Sequence, residues 1–126
     1  MASEKADEFK EKYEKLGIRT ALSIGDPDSS EGWLAKYDII VCTSEKFDSL
    51  LRHKITWLRE VKTVVVDEIH LLNDFRRGPV LEVILTLIKK LIPKAVSIGF
   101  TGTPLLKKDK KKSLEVFGRY IHTYKF

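Results

Sequence analysis

Residues 63–70 read Thr63-Val64-Val65-Val66-Asp67-Glu68-Ile69-His70. Two adjacent carboxylates close a run of β-branched residues. Such a run, bounded by charge, predicts a strand buried on both faces, as in a parallel sheet. The carboxyl ends of strands in open α/β sheets are where ligands bind. There Asp67 can hold Mg²⁺ and Glu68 can orient an attacking water, which is the acidic half of a nucleotide triphosphatase. The same pair also suits a strand end that simply turns into solvent. His70 either couples the pair to a neighbouring element or is a polar loop residue.

The complementary half of such a site is a phosphate cradle, Gly-x-x-x-x-Gly-Lys-Ser/Thr. None of the seven glycines of these 126 residues is followed by Lys and then Ser or Thr. Two other segments offer donors. Thr43-Ser44-Glu45-Lys46 follows an apolar run and opens a predicted helix. Helix-start N–H groups and hydroxyls bind phosphate, and the same residues are good N-caps. Thr101-Gly102-Thr103 closes a later apolar run, where small residues permit close approach of a ligand or simply make a turn. Lys46 and Arg77 are candidate phosphate contacts, with solvated surface as the default. Trp33 and Trp57 suit base stacking or, more commonly, packing.

These segments need elements to position them. Residues 3–16 predict an amphipathic helix, with Phe9, Tyr13 and Leu16 inward, Ser3 as N-cap and Gly17 as the stop. Strands are expected over 18–24, 38–43, 63–67, 95–100 and 119–124. Helices are expected around 31–35, from 43 to 53 with Phe47, Leu50 and Leu51 inward, from 77 to 91, and near 113–117. The helix over 77–91 carries Leu81, Ile84, Leu85 and Ile88 inward, has Pro79 in its first turn and is ended by Pro93. Strands alternating with helices predict α/β: one three-layer domain over 1–126 with a mostly parallel sheet of about five strands.

Bulk properties narrow the class. A hydrophobic fraction of 43% beside 33% charged residues fits a globular chain with a core. No apolar run approaches the roughly 18–20 residues that span a membrane, so no membrane partner is expected. From its charged start, no signal peptide is expected. Cys42 is the single cysteine, expected as a small core residue in a reducing cytoplasm. The net charge of +5 is uneven. Residues 1–92 hold 15 basic and 16 acidic side chains, a balance of −1, whereas 93–126 hold 8 and 2, a balance of +6. Much of that excess is Lys107-Lys108-Asp109-Lys110-Lys111-Lys112, a run that can contact phosphates or form a solvated loop.

Taken together, several motifs resemble the archaeal Ski2-like superfamily 2 DNA helicases. They are Gly25-Asp26, Trp33-Leu34, Tyr37-Asp38-Ile39-Ile40-Val41, Thr43 through His53, Val64 through Leu72, and Arg77-Gly78 with Leu81-Glu82. The resemblance covers about residues 3–92. It implies part of a RecA-like domain in which Asp67 and Glu68 are the Walker B pair and His70 links nucleotide state to DNA contacts. Thr43, Ser44 and Lys46 would contact a single-strand backbone. Gly25 and Asp26 match another strand-contacting loop, although the family's preceding Thr is Ile24 here. From Ile98 to Lys111 and from Glu115 to Phe126 the chain is instead similar to the motor subunit of type I restriction enzymes. Thr101-Gly102-Thr103 stands where a Ski2-like helicase shows Ser-Ala-Thr.

The resemblance implies a truncated or chimeric motor fragment, engineered from two related motors or, as the alternative, a natural hybrid of them, with helicase-like 1–92 and restriction-motor-like 93–126. The parent families use ATP and Mg²⁺. Without a P-loop no cofactor is expected here, Asp67 would hold Mg²⁺ only if a nucleotide were held, and the chain is expected not to be an enzyme. Alternatives are a residual single-stranded nucleic-acid-binding module and a Walker B half completed by another chain. Weak single-stranded DNA binding and homodimerisation through sheet edges or element swapping are the expected partnerships.

Overall fold

The computed structural model describes residues 2–25, 32–53, 55–67, 71–72 and 74–99. The chain divides between Trp57 and Leu58 into two compact units. Each unit is built around its own pair of parallel strands.

The first unit opens with helix α1, Ala2–Tyr13, extended by a 3₁₀ turn over Glu14–Leu16. Gly17 stops it, as its position suggests: φ is +79°, and its N–H donates to the Glu14 carbonyl at 2.9 Å. A side chain there would carry the left-handed penalty that glycine escapes. The inward stripe differs from expectation. Ala6 is wholly buried, Phe9 and Tyr13 are half-buried and pair at 5.9 Å between ring centroids, and Leu16 is exposed. Leu16 lies in the tighter 3₁₀ turn, which rotates it off the 3.6-residue stripe.

Strand β1, Thr20–Ser23, pairs in parallel with β2, Ile39–Cys42, in the register Thr20↔Ile39 to Ser23↔Cys42. Helix α1 lies against both strands. Arg19 pins the start of the pair. Its N–H donates to Asp38 Oδ2 at 2.9 Å, and its carbonyl accepts from the N–H groups of Asp38 and Ile39 at 3.0 Å each. Its guanidinium donates to the Lys36 carbonyl and sits 5.8 Å from the Tyr37 ring, against which Trp33 packs edge-on. A 3₁₀ helix, Gly32–Lys36, buries Leu34 before β2. Helix α2, Ser44–Arg52, follows β2 and buries Leu50 and Leu51 as its periodicity requires. Cys42 is half-buried rather than a full core residue.

The second unit begins inside a 3₁₀ helix, Thr56–Glu60, whose Leu58 is buried. Strand β3, Thr63–Val66, pairs in parallel with β4, Val96–Gly99, from Thr63↔Val96 to Val66↔Gly99. Between them runs helix α3, Gly78–Leu91, making a βαβ unit. Leu81, Ile84, Leu85 and Ile88 are all buried, which is the stripe that the 3.6-residue period predicts. Pro79 sits in the first turn, where its missing N–H costs nothing, and the helix closes before Pro93.

The α/β class is therefore observed, with corrections. The four described strands pair two by two. The expected strand over 119–124 and the short helix near 113–117 lie outside the described residues. Strand β3 is not buried on both faces: Thr63 and Val65 are exposed, the latter by 58%, whereas Val64 and Val66 are half-buried. A strand covered on one side alternates in this way, and β3 has a single strand neighbour among the described residues. Among those residues, no helix is long and apolar enough to cross a membrane.

Candidate functional site

Asp67 is the first residue after β3 and lies exposed in a turn. Because β3 and β4 are parallel and Val66 is in register with Gly99, both strands end at the same edge. Asp67 leaves from that edge, the position that parallel sheets use for ligand chemistry. Glu68, His70, Thr101, Gly102 and Thr103 lie outside the described residues, as does Asp26.

The first unit has an edge of the same kind. Ser23 and Cys42 are in register, so Gly25 beyond β1 and Thr43-Ser44 beyond β2 leave the same end of that pair. Gly25 has φ of +103°, a conformation that needs glycine, and is exposed. Thr43 is the N-cap of α2: its Oγ1 accepts from the Lys46 N–H at 3.3 Å, a long bond. Its hydroxyl is thus used by the helix, while Ser44 is exposed.

Lys46 is a correction to the solvated-surface default. It is only 2% exposed, among the most buried of the described residues. It lies four residues before Leu50, on the inward face of α2, and that spacing was the signal for it. The methylene stem of a lysine packs as an apolar group in such a place. Of the two tryptophans, Trp57 is buried and Trp33 is half exposed against Tyr37.

The turn between β3 and α3 holds features that composition did not single out. Asp74 Oδ1 accepts from the N–H groups of Arg76 at 2.8 Å and Arg77 at 2.9 Å. Those two bonds, Arg77's first, hold the Asp74 carboxyl below its ordinary range, with the two guanidinium charges adding to the effect. The Asp74 carbonyl accepts from the Gly78 N–H at 2.9 Å, and the Asp74 N–H donates to the Leu71 carbonyl at 2.9 Å. A Cβ on Gly78 would collide with the Leu72 carbonyl, so this close approach requires glycine. At the tip of the turn Phe75 is 95% exposed.

Two surface hollows lie away from these strand ends. One of about 370 Å³ is lined by Lys10, Glu14, Arg19, Thr20 and Tyr37, where β1 begins. The other, about 260 Å³, is lined by Arg59, Val61 and residues 91–95, near the starts of β3 and β4. Thr20 is 5% exposed, and its hydroxyl has no hydrogen-bond partner among the described residues.

A parallel βαβ unit with an acidic residue at its carboxyl edge, and a capped helix following a second parallel pair, are features of an α/β fold of the RecA-like kind. The chain belongs to the DEAD/DEAH box helicase family, whose model matches residues 1–111. It is 53% identical over 105 residues to the ATP-dependent DNA helicase Hel308 of Methanocaldococcus jannaschii. It is 57% identical over 103 residues to the Hel308 of Thermococcus kodakarensis and 50% identical over 103 residues to that of Pyrococcus abyssi. Each match covers 82% of this chain and 9%, 9% and 14% of the respective relative. The chain thus spans about a tenth of the length of these relatives. The family match continues past residue 92, across the expected change of kinship.

Proposed function

We propose that this chain is a segment of a superfamily 2 DNA-helicase motor, supplying the acidic half of an ATP site without turning over ATP by itself. The observation that carries the reading is the place of Asp67, exposed at the carboxyl edge where parallel β3 and β4 end together. Among the described residues no cluster of three or more His, Cys, Asp or Glu side chains forms a metal cage. A single hard carboxylate oxygen nonetheless suits Mg²⁺, which binds through one or two carboxylates together with substrate phosphates. When bound with nucleotide, that ion would neutralise phosphate charge. Asp67 would hold it, Glu68 would orient the attacking water, and His70 would relay the state of the site. Without the Gly-x-x-x-x-Gly-Lys-Ser/Thr cradle, the phosphates have no backbone nest in this chain.

ATP turnover tests the reading. The chain alone gives none above background. Turnover appears on mixing with a helicase segment that carries the P-loop, and Glu68→Ala abolishes it. Turnover by the chain alone sinks the proposal, as does a reconstituted activity indifferent to Glu68→Ala.

The finer lineage belongs to the same proposal: an engineered chimera whose residues 93–126 derive from a type I restriction motor. The residues quoted above and the charge break at residue 92 support it. A helicase match running to residue 111 is compatible, since both parents are superfamily 2 motors. One uninterrupted natural gene encoding residues 3–126 would refute it. Each described strand has one edge with no strand neighbour among the described residues, which favours self-association through edges or element swapping. Sedimentation showing only monomer at high concentration excludes that.

A second reading is binding of single-stranded nucleic acid, favoured by the shared edge from which Gly25 and Thr43-Ser44 emerge. With Lys46 buried, Ser44 and the exposed backbone of that edge carry it.

A further inference from the structure

A fully exposed phenylalanine gives up the roughly 1.5–3 kcal/mol that burial of such a side chain supplies. Single apolar residues on a surface are commonplace. Phe75 differs in how it is held and in what surrounds it. The Asp74 carboxylate grips the two following N–H groups, and the Asp74 carbonyl grips a third, that of Gly78. Gly78 is itself seated against the Leu72 carbonyl. The turn is thereby fixed at both ends, and Phe75 stands 95% exposed between them. The next two residues, Arg76 and Arg77, are also exposed. An exposed aromatic ring followed in the chain by two exposed arginines, on a turn held by its own hydrogen bonds, loses little entropy on binding.

We propose that Phe75, Arg76 and Arg77 form a stacking contact for single-stranded nucleic acid, with a base on the Phe75 ring and adjacent phosphates on the two guanidinium groups. Single-strand binders combine aromatic platforms with cations in this way. Arginine suits the role because its planar fork pairs with phosphate oxygens. A duplex keeps its bases stacked on one another and offers Phe75 no open face. An acidic protein surface would satisfy the arginines and leave the ring unused. The inference rests on the reading of the chain as part of a DNA motor, and it adds a contact point that neither the Walker B pair nor the loop after β2 supplies.

The test is fluorescence anisotropy of a labelled oligothymidylate with the whole chain, across a salt series. Phe75→Ala is expected to weaken binding about 5- to 150-fold, the range of one lost base stack, with the salt slope unchanged. Phe75→Tyr restores affinity. Arg76→Ala and Arg77→Ala each lower the log–log salt slope by about 0.7. Circular dichroism confirms that the variants remain folded, as the exposure of all three side chains leads one to expect. If the chain binds DNA and Phe75→Ala changes nothing, the stacking contact is wrong and the motor reading stands. Equal competition by polyglutamate or by duplex DNA also overturns it. Absence of binding even at about 50 mM salt, where phosphate contacts are strong, overturns this contact and the nucleic-acid reading together, while the reconstituted turnover experiment still judges the ATP site.

Discussion

The Thr43 hydroxyl accepts the Lys46 N–H at 3.3 Å, and the turn so formed carries the Lys46 side chain inward to 2% exposure. Two residues whose types suggest phosphate contact are thus part of what holds α2 onto its unit. Any loss of DNA affinity on changing either must be separated from loss of structure.

Replacing Lys46 by Ala removes three buried methylenes, worth about 2 kcal/mol at roughly 0.8 kcal/mol each, together with the ammonium group that the 2% exposure places inside the fold. Lys46→Met keeps most of the stem and is expected to lose less. Urea melts of the two variants decide the matter. An unchanged midpoint for Lys46→Ala would show that the side chain is not packed.

Thr43→Ala deletes the α2 cap and is expected to cost about 1 kcal/mol, whereas Thr43→Ser retains the acceptor. The thermal midpoints should fall in the order wild type, Thr43→Ser, Thr43→Ala. Equal midpoints for Ala and Ser would mean that the long 3.3 Å bond contributes nothing.

Gly78→Ala forces a Cβ against the Leu72 carbonyl, which is backbone and cannot swing aside. Overpacking of this kind costs about 1–3 kcal/mol. In an ordinary helix the same exchange stabilises, because alanine is the better helix former. The sign of the change is therefore the test, and a stabilised Gly78→Ala variant would disprove the close approach.

The Asp74 carboxyl is lowered from its ordinary value of 3.8, chiefly by the Arg77 and Arg76 N–H bonds. A depressed folded-state value means that the stability it contributes is fully present above 3.8 and is lost as pH falls through the folded value. The amide shifts of Arg76 and Arg77, followed by NMR from about pH 7 to about pH 2, should titrate with a midpoint below that of a free aspartate. Asp74→Asn should remove this titration. A wild-type midpoint at or above 3.8 would contradict the two bonds.

Helix α3 was fully legible: Leu81, Ile84, Leu85 and Ile88 follow one period, and Pro79 and Pro93 mark its ends. So were the stop at Gly17 and the cap at Thr43. The acidic end of β3 was legible as type and spacing, and Asp67 is found at a carboxyl edge. Phe75 was not legible, because turn residues around an apolar side chain do not say whether that side chain is covered.

Among the described residues, sequence by itself determined the local elements and their order, and it carries the family motifs and the lack of a Gly-Lys-Ser/Thr cradle, since each depends on residues a few positions apart. Tertiary structure decided that β3 pairs only with β4 among the described residues and leaves Val65 exposed. It also decided that Lys46 is inside, that Phe75 is outside, and that Gly78 is held against Leu72. Burial is set by groups brought together from distant positions, and neither periodicity nor composition specifies which faces those groups cover.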